Sequence, residues 1–364
     1  MKRFLQWLLR RPVVWLADKL SSAASERDVF SSLNKLYETI TEGKTSKGPT
    51  LPFDINSGRF IIFSDQHKGG KDLADDFRLA EMNYLKALQH YNEQEFTLIN
   101  LGDAEELWEN TPSSVIEKNR LTLLEEAKFL QQDRYYRIYG NHDLEWSYTI
   151  QQQQYLAPIF GDKLAIHEGL RLTTSHNGKE YTIFLAHGHQ GDKRSDGNAF
   201  SKWVVAAIWT PVQRFLDISI NTTADSFELV DRHNIIMYEW SATQRNLVFI
   251  SGHTHKPVFA SLDHIDRLTR QLEKAIGTGD QELIQSIQAS LDKRKLEYAG
   301  KKLVRTMAHP SYFNTGCCCF SDGDITGIEI ADGFIRLVKW DVVDDGFVRL
   351  VLEESPLPYI FELL

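Results

Sequence analysis

The 364-residue sequence has only three cysteines, no long apolar run and no excess of basic side chains. The cysteines are consecutive, Cys317 to Cys319, and neighbouring cysteines form poor disulfides, which predicts a reduced, cytoplasmic protein. No apolar run reaches the ~20 residues of a transmembrane helix. Arg10, Arg11 and Pro12 interrupt the N-terminal apolar stretch too early for a secretory signal. The net charge of -9 argues against nucleic acid as the main partner, since proteins that bind it usually carry a basic excess.

The sequence predicts a short N-terminal segment followed by one large domain. Residues 1–50 are predicted to form a helical segment and a linker, and residues 51–364 the domain. In its first half, apolar strands alternate with helices, which is the βαβ pattern of an α/β fold. A helical insertion is predicted at 193–246 and a charged helical hairpin at 262–302. The alternating pattern of 325–351 predicts antiparallel strands at the end of the chain.

Five polar clusters each follow directly after an apolar strand. They are Asp65-x-His67, Gly102-Asp103, Gly140-Asn141-His142-Asp143, His187-Gly188-His189 and Gly252-His253-Thr254-His255. Ligands of open α/β sheets gather at the carboxyl ends of the strands, so the clusters are predicted to converge. A lone Asp-x-His or Gly-Asp is usually a loop or a helix cap, whereas five clusters in this order favour a functional site.

The donor types of these clusters indicate a transition-metal site. Carboxylate and amide oxygens together with imidazoles suit Mn, Fe, Zn or Co rather than Ca or a thiolate-bound structural Zn. Asp65 and His67 fit one ion, because alternate residues of an extended chain lie on the same side. One carboxylate can bridge two ions ~3.5–4 Å apart, the separation typical of two-metal hydrolytic sites.

This set of motifs resembles the calcineurin-like metallophosphoesterase superfamily. The resemblance covers residues 60–255, and the segment 312–316 resembles a late N-T-G turn of many bacterial members. It implies an α/β fold that is a four-layer sandwich of two mixed β-sheets flanked by helices. It also implies a dinuclear metal-dependent hydrolase of phosphoester or phosphoanhydride bonds, with a metal-bridging hydroxide as nucleophile.

The resemblance assigns seven metal ligands and a catalytic histidine. The first ion would take Asp65, His67 and His255, the second Asn141, His187 and His253, with Asp103 bridging both. His142 would steady the transition state or protonate the leaving group. Glu106 either orients His142 or is a solvated residue on a helix face. His189 is the alternative to His187, which the family pattern favours.

Several cationic side chains and the cysteines have less specific patterns. Lys68, Lys71, Lys193 and Arg194 follow motif loops and either bind substrate phosphate or are merely solvated. The run Cys317 to Cys319 either lines the site or supplies small buried apolar side chains.

Two substrate classes and one non-catalytic role are candidates. The insertion and the segment Gly102–Trp108 resemble UDP-2,3-diacylglucosamine pyrophosphatases, which implies a nucleotide-sugar lipid as substrate. This chain departs from that family in two ways: the family commonly has arginine in place of His142, and it lacks the 262–302 hairpin. Basic and apolar residues in 1–20 suit peripheral association with the inner membrane surface, and equally a helix packed on its own domain. The alternatives are a phosphatase or phosphodiesterase acting on soluble nucleotides or phosphoproteins, and a non-catalytic scaffold of the same fold.

Overall fold

The structure is a computed structural model that describes most, but not all, of the chain. The described residues are 25–44, 47–72, 75–191, 227–261, 269, 272, 275–279, 281–297, 309–344 and 346–364. Residues 1–20, Lys193, Arg194 and the first part of the predicted insertion lie outside the described residues, as does much of the predicted hairpin. The described parts of the insertion and of the hairpin are helical, whereas the domain boundaries stay predictions.

Within the described residues, the strands form two sheets. In chain order they are β1 Thr50–Pro52, β2 Phe60–Phe63, β3 Thr97–Leu101, β4 Tyr135–Ile138, β5 Ile166–His167, β6 Gly169–His176, β7 Lys179–Ala186, β8 Leu247–Ser251, β9 Tyr312–Asn314, β10 Ile325–Ala331, β11 Phe334–Val343 and β12 Gly346–Pro356. The five-stranded sheet has the order β1-β6-β7-β8-β9, and the seven-stranded sheet the order β12-β11-β10-β2-β3-β4-β5. Both sheets are mixed: β2 to β5 are parallel neighbours while β10 to β12 are antiparallel, and β6 and β7 are antiparallel while β7 to β9 are parallel.

Helices cover the outer faces of both sheets. The α-helices are α1 Glu26–Thr41, α2 Phe77–Glu93, α3 Pro112–Lys118, α4 Arg120–Gln131, α5 Thr149–Gln151, α6 Ala157–Phe160, α7 Phe227–Thr243, α8 Gln281–Glu297 and α9 Leu357–Glu362, with single turns of other helix types at Leu144–Ser147 and Gln152–Leu156. None of the described helices is both long enough and apolar enough to cross a bilayer.

Strand β2 shows how the layers arise from the sequence. All four of its residues are apolar and buried, and successive side chains of a strand point to opposite faces. Ile61 and Phe63 therefore pack under α2 and α4, while Phe60 and Ile62 pack between the two sheets. In the other sheet, Phe184 of β7 packs against α1 and α7 in the same way. The result is helix, sheet, sheet and helix, which confirms the predicted four-layer α/β fold.

Candidate metal centre

The predicted site lies where strand ends of both sheets meet. Asp65 follows β2, Asp103 follows β3 and Asn141 follows β4, while His187 follows β7 and His253 follows β8. Backbone hydrogen bonds hold these loops together beyond the strands: the Asp65 N–H donates to the Gly102 carbonyl at 3.0 Å, and the His67 N–H to the Asp103 carbonyl at 2.9 Å. The Gly252 N–H likewise donates to the His187 carbonyl at 2.9 Å.

The backbone at these positions is left-handed. The φ angles are 52° at Asp65, 48° at His67, 51° at Asp103, 69° at His253 and 55° at His255. A non-glycine residue held in this region costs of order 1–3 kcal/mol, and it persists only where the surrounding structure enforces it. Five of the seven predicted ligands are therefore held in a strained conformation, as residues of functional sites often are.

Two glycines are required by close approach to the carboxylates. A Cβ atom at Gly140 would collide with Asp103 Oδ1, and one at Gly252 would collide with Asp65 Oδ2 and with the Ser64 hydroxyl. Glycine at these points of the motifs therefore lets the neighbouring loops close around the two aspartates.

The side chains form overlapping groups of donors. Asp65, His67 and His255 make one group, and Asp103, His187 and His253 another, with the ligand atoms of each group within 4.8 Å of one another. A third group joins Asp103 and His67 to His142. The spacing is tight, because His187 Nε2 lies 3.0 Å from Asp103 Oδ2 and His255 Nε2 lies 3.3 Å from Asp65 Oδ1. Asp103 is thus shared between two groups.

Three buried donor atoms at the centre are left without hydrogen bonds. His253 Nε2 and Asn141 Oδ1 have no hydrogen-bond partner among the described residues, and His187 Nε2 faces Asp103 Oδ2 at 3.0 Å without the geometry of a hydrogen bond. An unsatisfied buried polar atom costs about 1–3 kcal/mol. A divalent cation would satisfy all three lone pairs, so the donor set fits metal ions of the class predicted from the sequence.

Glu106 connects two histidines of the centre. Its Oε2 lies 2.9 Å from His67 Nδ1 and 2.7 Å from His142 Nδ1. Burial by itself would raise the pKa of Glu106, but His142 and His67 lower it to about 2. The residue lies in a loop after β3 rather than on a helix face, and it contacts His142 while remaining partly exposed. A carboxylate on Nδ1 leaves Nε2 of His67 facing the other donors.

Trp108 contacts both the side chain of His142 and the backbone of Asn141. Its ring stacks on His142 with centroids 4.0 Å apart and planes 16° apart. Its indole N–H donates to the backbone carbonyl of Asn141 at 2.8 Å. The segment that carries Glu106 and Trp108 therefore positions both the side chain of His142 and the backbone of its neighbour.

The electrostatics of the centre favour positive charge. Burial would raise the pKa of Asp65 and Asp103, yet the surrounding imidazoles hold both well below the usual range. Burial would lower the pKa of His187, but Asp103 and Asp65 raise it to about 9. Similarly, Cys319 and Asp65 overcome burial and raise the pKa of His255 to about 10. In contrast, burial and the neighbouring His233 and His187 lower the pKa of His253, so its imidazole is neutral.

Not every predicted residue reaches the centre. Lys68 fits neither of its two expected roles, phosphate binding or solvation: its side chain is fully buried, 2.6 Å from Glu126 Oε1 and 3.6 Å from Glu105 Oε1. Lys71 pairs with Glu81 at 2.6 Å. His189 has its ring 5.5 Å from that of His187 and belongs to none of the donor groups.

Sequence reasoning missed the residues that support the His253 loop. His233 of α7 lies with its ring 5.1 Å from that of His253, and its Nε2 lies 2.7 Å from the Gly188 carbonyl. Asn314 donates to the Gly252 carbonyl at 2.7 Å. The N-T-G turn was a usable signal for Asn314, whereas no motif marks His233.

Comparison with known proteins gives one family match. The sequence model of the calcineurin-like phosphoesterase family matches residues 58–257, which is more than half of the chain. A comparison with curated proteins found no match. Among solved structures, Vacuolar Protein Sorting 29 from Cryptosporidium parvum matches with 9% identity and a TM-score of 0.31, over 82% of this chain and 98% of that one. On the family match, the chain belongs to the calcineurin-like phosphoesterases, a family of metal-dependent phosphoester hydrolases.

Proposed function

We propose that this protein hydrolyses phosphoester or phosphoanhydride bonds with two metal ions bound at one centre. The observation that carries the proposal is the position of Asp103, whose Oδ2 lies 3.0 Å from His187 Nε2 and 3.7 Å from His67 Nε2, between the two proposed sets of ligands. A shared carboxylate is what a pair of ions ~3.5–4 Å apart requires. The family match supports phosphoester hydrolysis independently of this geometry.

The proposed roles divide the donors between the two ions. Asp65, His67 and His255 would hold the first ion, Asn141, His187 and His253 the second, and Asp103 both. When bound, two such cations supply Lewis-acid chemistry, lowering the pKa of a water and neutralising charge on the phosphoryl group. The protein in turn fixes the imidazoles: Nδ1 of His187 lies 2.8 Å from the Leu101 carbonyl, which leaves its Nε2 for coordination.

His142 is the proposed proton-transfer residue. Its Nδ1 is engaged by Glu106, so Nε2 is the atom that can donate a hydrogen bond to a phosphoryl oxygen or a proton to the leaving group. Stacking on Trp108 prevents the ring from rotating away. A preorganised donor of this kind acts on charge that develops in the transition state.

The substrate class rests on sequence resemblance. The segment Gly102–Trp108 supports a nucleotide-sugar lipid, while soluble nucleotides or phosphoproteins are the alternative. Residues 1–20, which would serve peripheral membrane association, lie outside the described residues, so that association stays a prediction. The non-catalytic scaffold is opposed by the complete set of seven donors.

The test combines metal analysis with a substrate panel. Chelator-treated protein, verified metal-free by elemental analysis, is assayed before and after adding Mn, Fe, Zn or Co. The panel contains bis-p-nitrophenyl phosphate, nucleotide sugars and phosphopeptides. We expect activity only with metal, and two ions per chain at saturation. Undiminished hydrolysis by the metal-free protein, or saturation at a single ion, would contradict the proposal.

Two histidine variants give this test a matched control. His187→Ala removes a proposed ligand and should lower the ion content. His189→Ala removes a histidine two positions away that lies outside every donor group, and should retain both ions. Equal loss in both variants would point to general damage of the loop instead of ligand loss.

A further inference from the structure

A second type of donor cluster lies directly behind the proposed centre. Cys317, Cys319 and His255 present one ligand atom each, all within 4.8 Å of one another. Cys319 Sγ is 4.0 Å from His255 Nδ1. Cys317 is 1% exposed, whereas Cys319 and His255 are partly exposed, so a cation can reach the cluster from solvent. Two sulfurs and an imidazole differ from the carboxylates that dominate the neighbouring centre.

The fold holds these sulfurs on one side of the chain. The run lies between the N-T-G turn and β10, and its backbone is tied at two points: the Cys318 N–H donates to the Asp65 carbonyl at 3.1 Å, and the Thr326 N–H donates to the Cys317 carbonyl at 3.0 Å. Cys318 instead packs in the core beneath α2, with its Sγ 3.8 Å from the Thr326 carbonyl. The two outer cysteines therefore face a different environment from the middle one.

His255 faces both clusters through different nitrogens. Its Nε2 lies 3.3 Å from Asp65 Oδ1 and 3.1 Å from His67 Nε2, on the side of the proposed hydrolytic centre. Its Nδ1 lies on the side of Cys319. The sulfur cluster is thus adjacent to the hydrolytic centre without using any other of the seven proposed ligands.

We propose that Cys317, Cys319 and His255 form a third cation site, which takes a soft divalent cation such as Zn²⁺. Thiolate sulfur and imidazole nitrogen are the donors that Zn²⁺ prefers, and three protein ligands leave a fourth tetrahedral position for solvent. Both sulfurs bind as thiolates and His255 bridges as an imidazolate, so binding releases their protons to solvent. Oxygen-preferring ions such as Mn²⁺ are excluded from this site, because thiolates are poor ligands for them.

The experiment uses Cd²⁺ as the probe, because sulfur-bound Cd²⁺ has a ligand-to-metal charge-transfer band in the ultraviolet that oxygen- and nitrogen-bound Cd²⁺ lacks. Full-length, fully reduced protein is titrated with Cd²⁺ after the other sites are filled with Mn²⁺. We expect the wild-type band to saturate at one equivalent. Cys317→Ser and Cys319→Ser should each reduce it to half or less, since each removes one of two thiolates.

Cys318→Ser is the matched control, because it changes the same residue type in the same run outside the cluster. It should keep the full band, and Cys318→Ala replaces it if serine is not tolerated at this buried position; circular dichroism verifies the fold of every variant. The proposal is overturned if the wild-type protein shows no band, or if the band of the Cys317 or Cys319 variant is as strong as that of the wild type. With Zn²⁺, X-ray absorption should show Zn–S distances of ~2.3 Å. The readout is independent of hydrolysis, so an inactive protein with the band contradicts only the proposed function.

Discussion

Two clusters of buried charge lie near the ends of β2, β3 and β4, and they balance that charge in different ways. The first, which we call the lysine–arginine cluster, consists of Lys68, Glu105, Glu126, Arg137 and Asp143, all fully buried. Lys68 lies 2.6 Å from Glu126, and Arg137 pairs with Glu105 and lies 3.6 Å from Asp143. Each carboxylate there faces a permanent cation.

The candidate metal centre contains no such cation among its described ion pairs. The partners of Asp65 and Asp103 are histidines. Lysine and arginine cannot give up their charge to become metal ligands at neutral pH, whereas an imidazole can release its proton and present a lone pair. Buried carboxylates that pair with fixed cations therefore stabilise the fold, whereas buried carboxylates that pair with imidazoles can bind a metal ion together with them.

The largest expected effect comes from removing the shared carboxylate. Asp103→Ala should lose both ions and reduce hydrolysis below detection, because Asp103 Oδ2 lies close to a proposed ligand of each ion, His67 and His187. Elemental analysis of the purified variant measures this directly. Asp162→Ala, at an exposed turn, is the control and should bind two ions. An Asp103 variant that retained both ions would show that another group bridges them.

A substitution in the lysine–arginine cluster should lower the free energy of unfolding and leave metal binding unchanged. Lys68→Met leaves buried Glu126 without its cation, and breaking one partner of a buried pair costs about 3–5 kcal/mol. Urea denaturation of the metal-free protein measures the free energy of unfolding. Lys71→Met, which removes a partly exposed pair with Glu81, is the control and should cost at most about 1 kcal/mol. Equal costs would mean that burial does not distinguish the two pairs.

An effect on rate alone is expected at the edge of the metal centre. His142→Ala should retain both ions and lower kcat about 10²–10³-fold, the usual cost of one transition-state donor. His176→Ala, on β6 away from the centre, should leave kcat unchanged. A His142 variant with full kcat would remove this residue from the mechanism.

Much of this arrangement follows from local patterns. The apolar run Phe60 to Phe63 predicts a buried strand, and the polar residues after it mark the strand's end and the first ligands. Neither expectation for Lys68, phosphate binding or solvation, anticipated its burial, because the residue that pairs with it, Glu126, lies 58 positions later on α4. A sequence shows the charge of a side chain but not what faces it.

Glu106 and His233 illustrate the same limit. A helix was one expectation for the segment after Asp103. Instead, the backbones of Lys68 and Glu105 pair in an isolated parallel β-bridge, which holds the segment as a loop. That bridge depends on the pairing of β2 with β3, which is tertiary information. His233 comes from a helix with no motif, and only the packing of α7 against β8 brings it to His253.

A smaller effect on metal affinity is expected from a change at Glu106, the carboxylate that contacts Nδ1 of His67 and His142. Glu106→Gln keeps an acceptor for Nδ1 of His67 and His142 but removes the charge. Loss of such an outer partner typically lowers metal affinity about 10–100-fold. Competition with a chelator of known affinity measures the change. Unchanged affinity would mean that His67 is oriented by packing alone.

The smallest effect, and the one that most directly separates the two clusters, is the response to pH. The pKa values of His187 and His255, about 9 and about 10, are raised in the folded, metal-free protein. Groups with raised pKa values add stability that is complete below the unfolded value of ~6.5 and is lost as pH rises through the folded value. Metal-free protein should therefore lose stability from pH 7 to 9.

Metal-loaded protein should respond in the opposite direction, because a cation competes with those protons and its affinity rises until both imidazoles are deprotonated. Thermal denaturation of the two forms at pH 7, 8 and 9 measures the difference in their melting temperatures, and the gap should widen with pH. The lysine–arginine cluster is common to both forms, so its contribution cancels. A gap that stayed constant or narrowed would show that His187 and His255 hold no displaceable protons, and the contrast between the clusters would then rest on geometry alone.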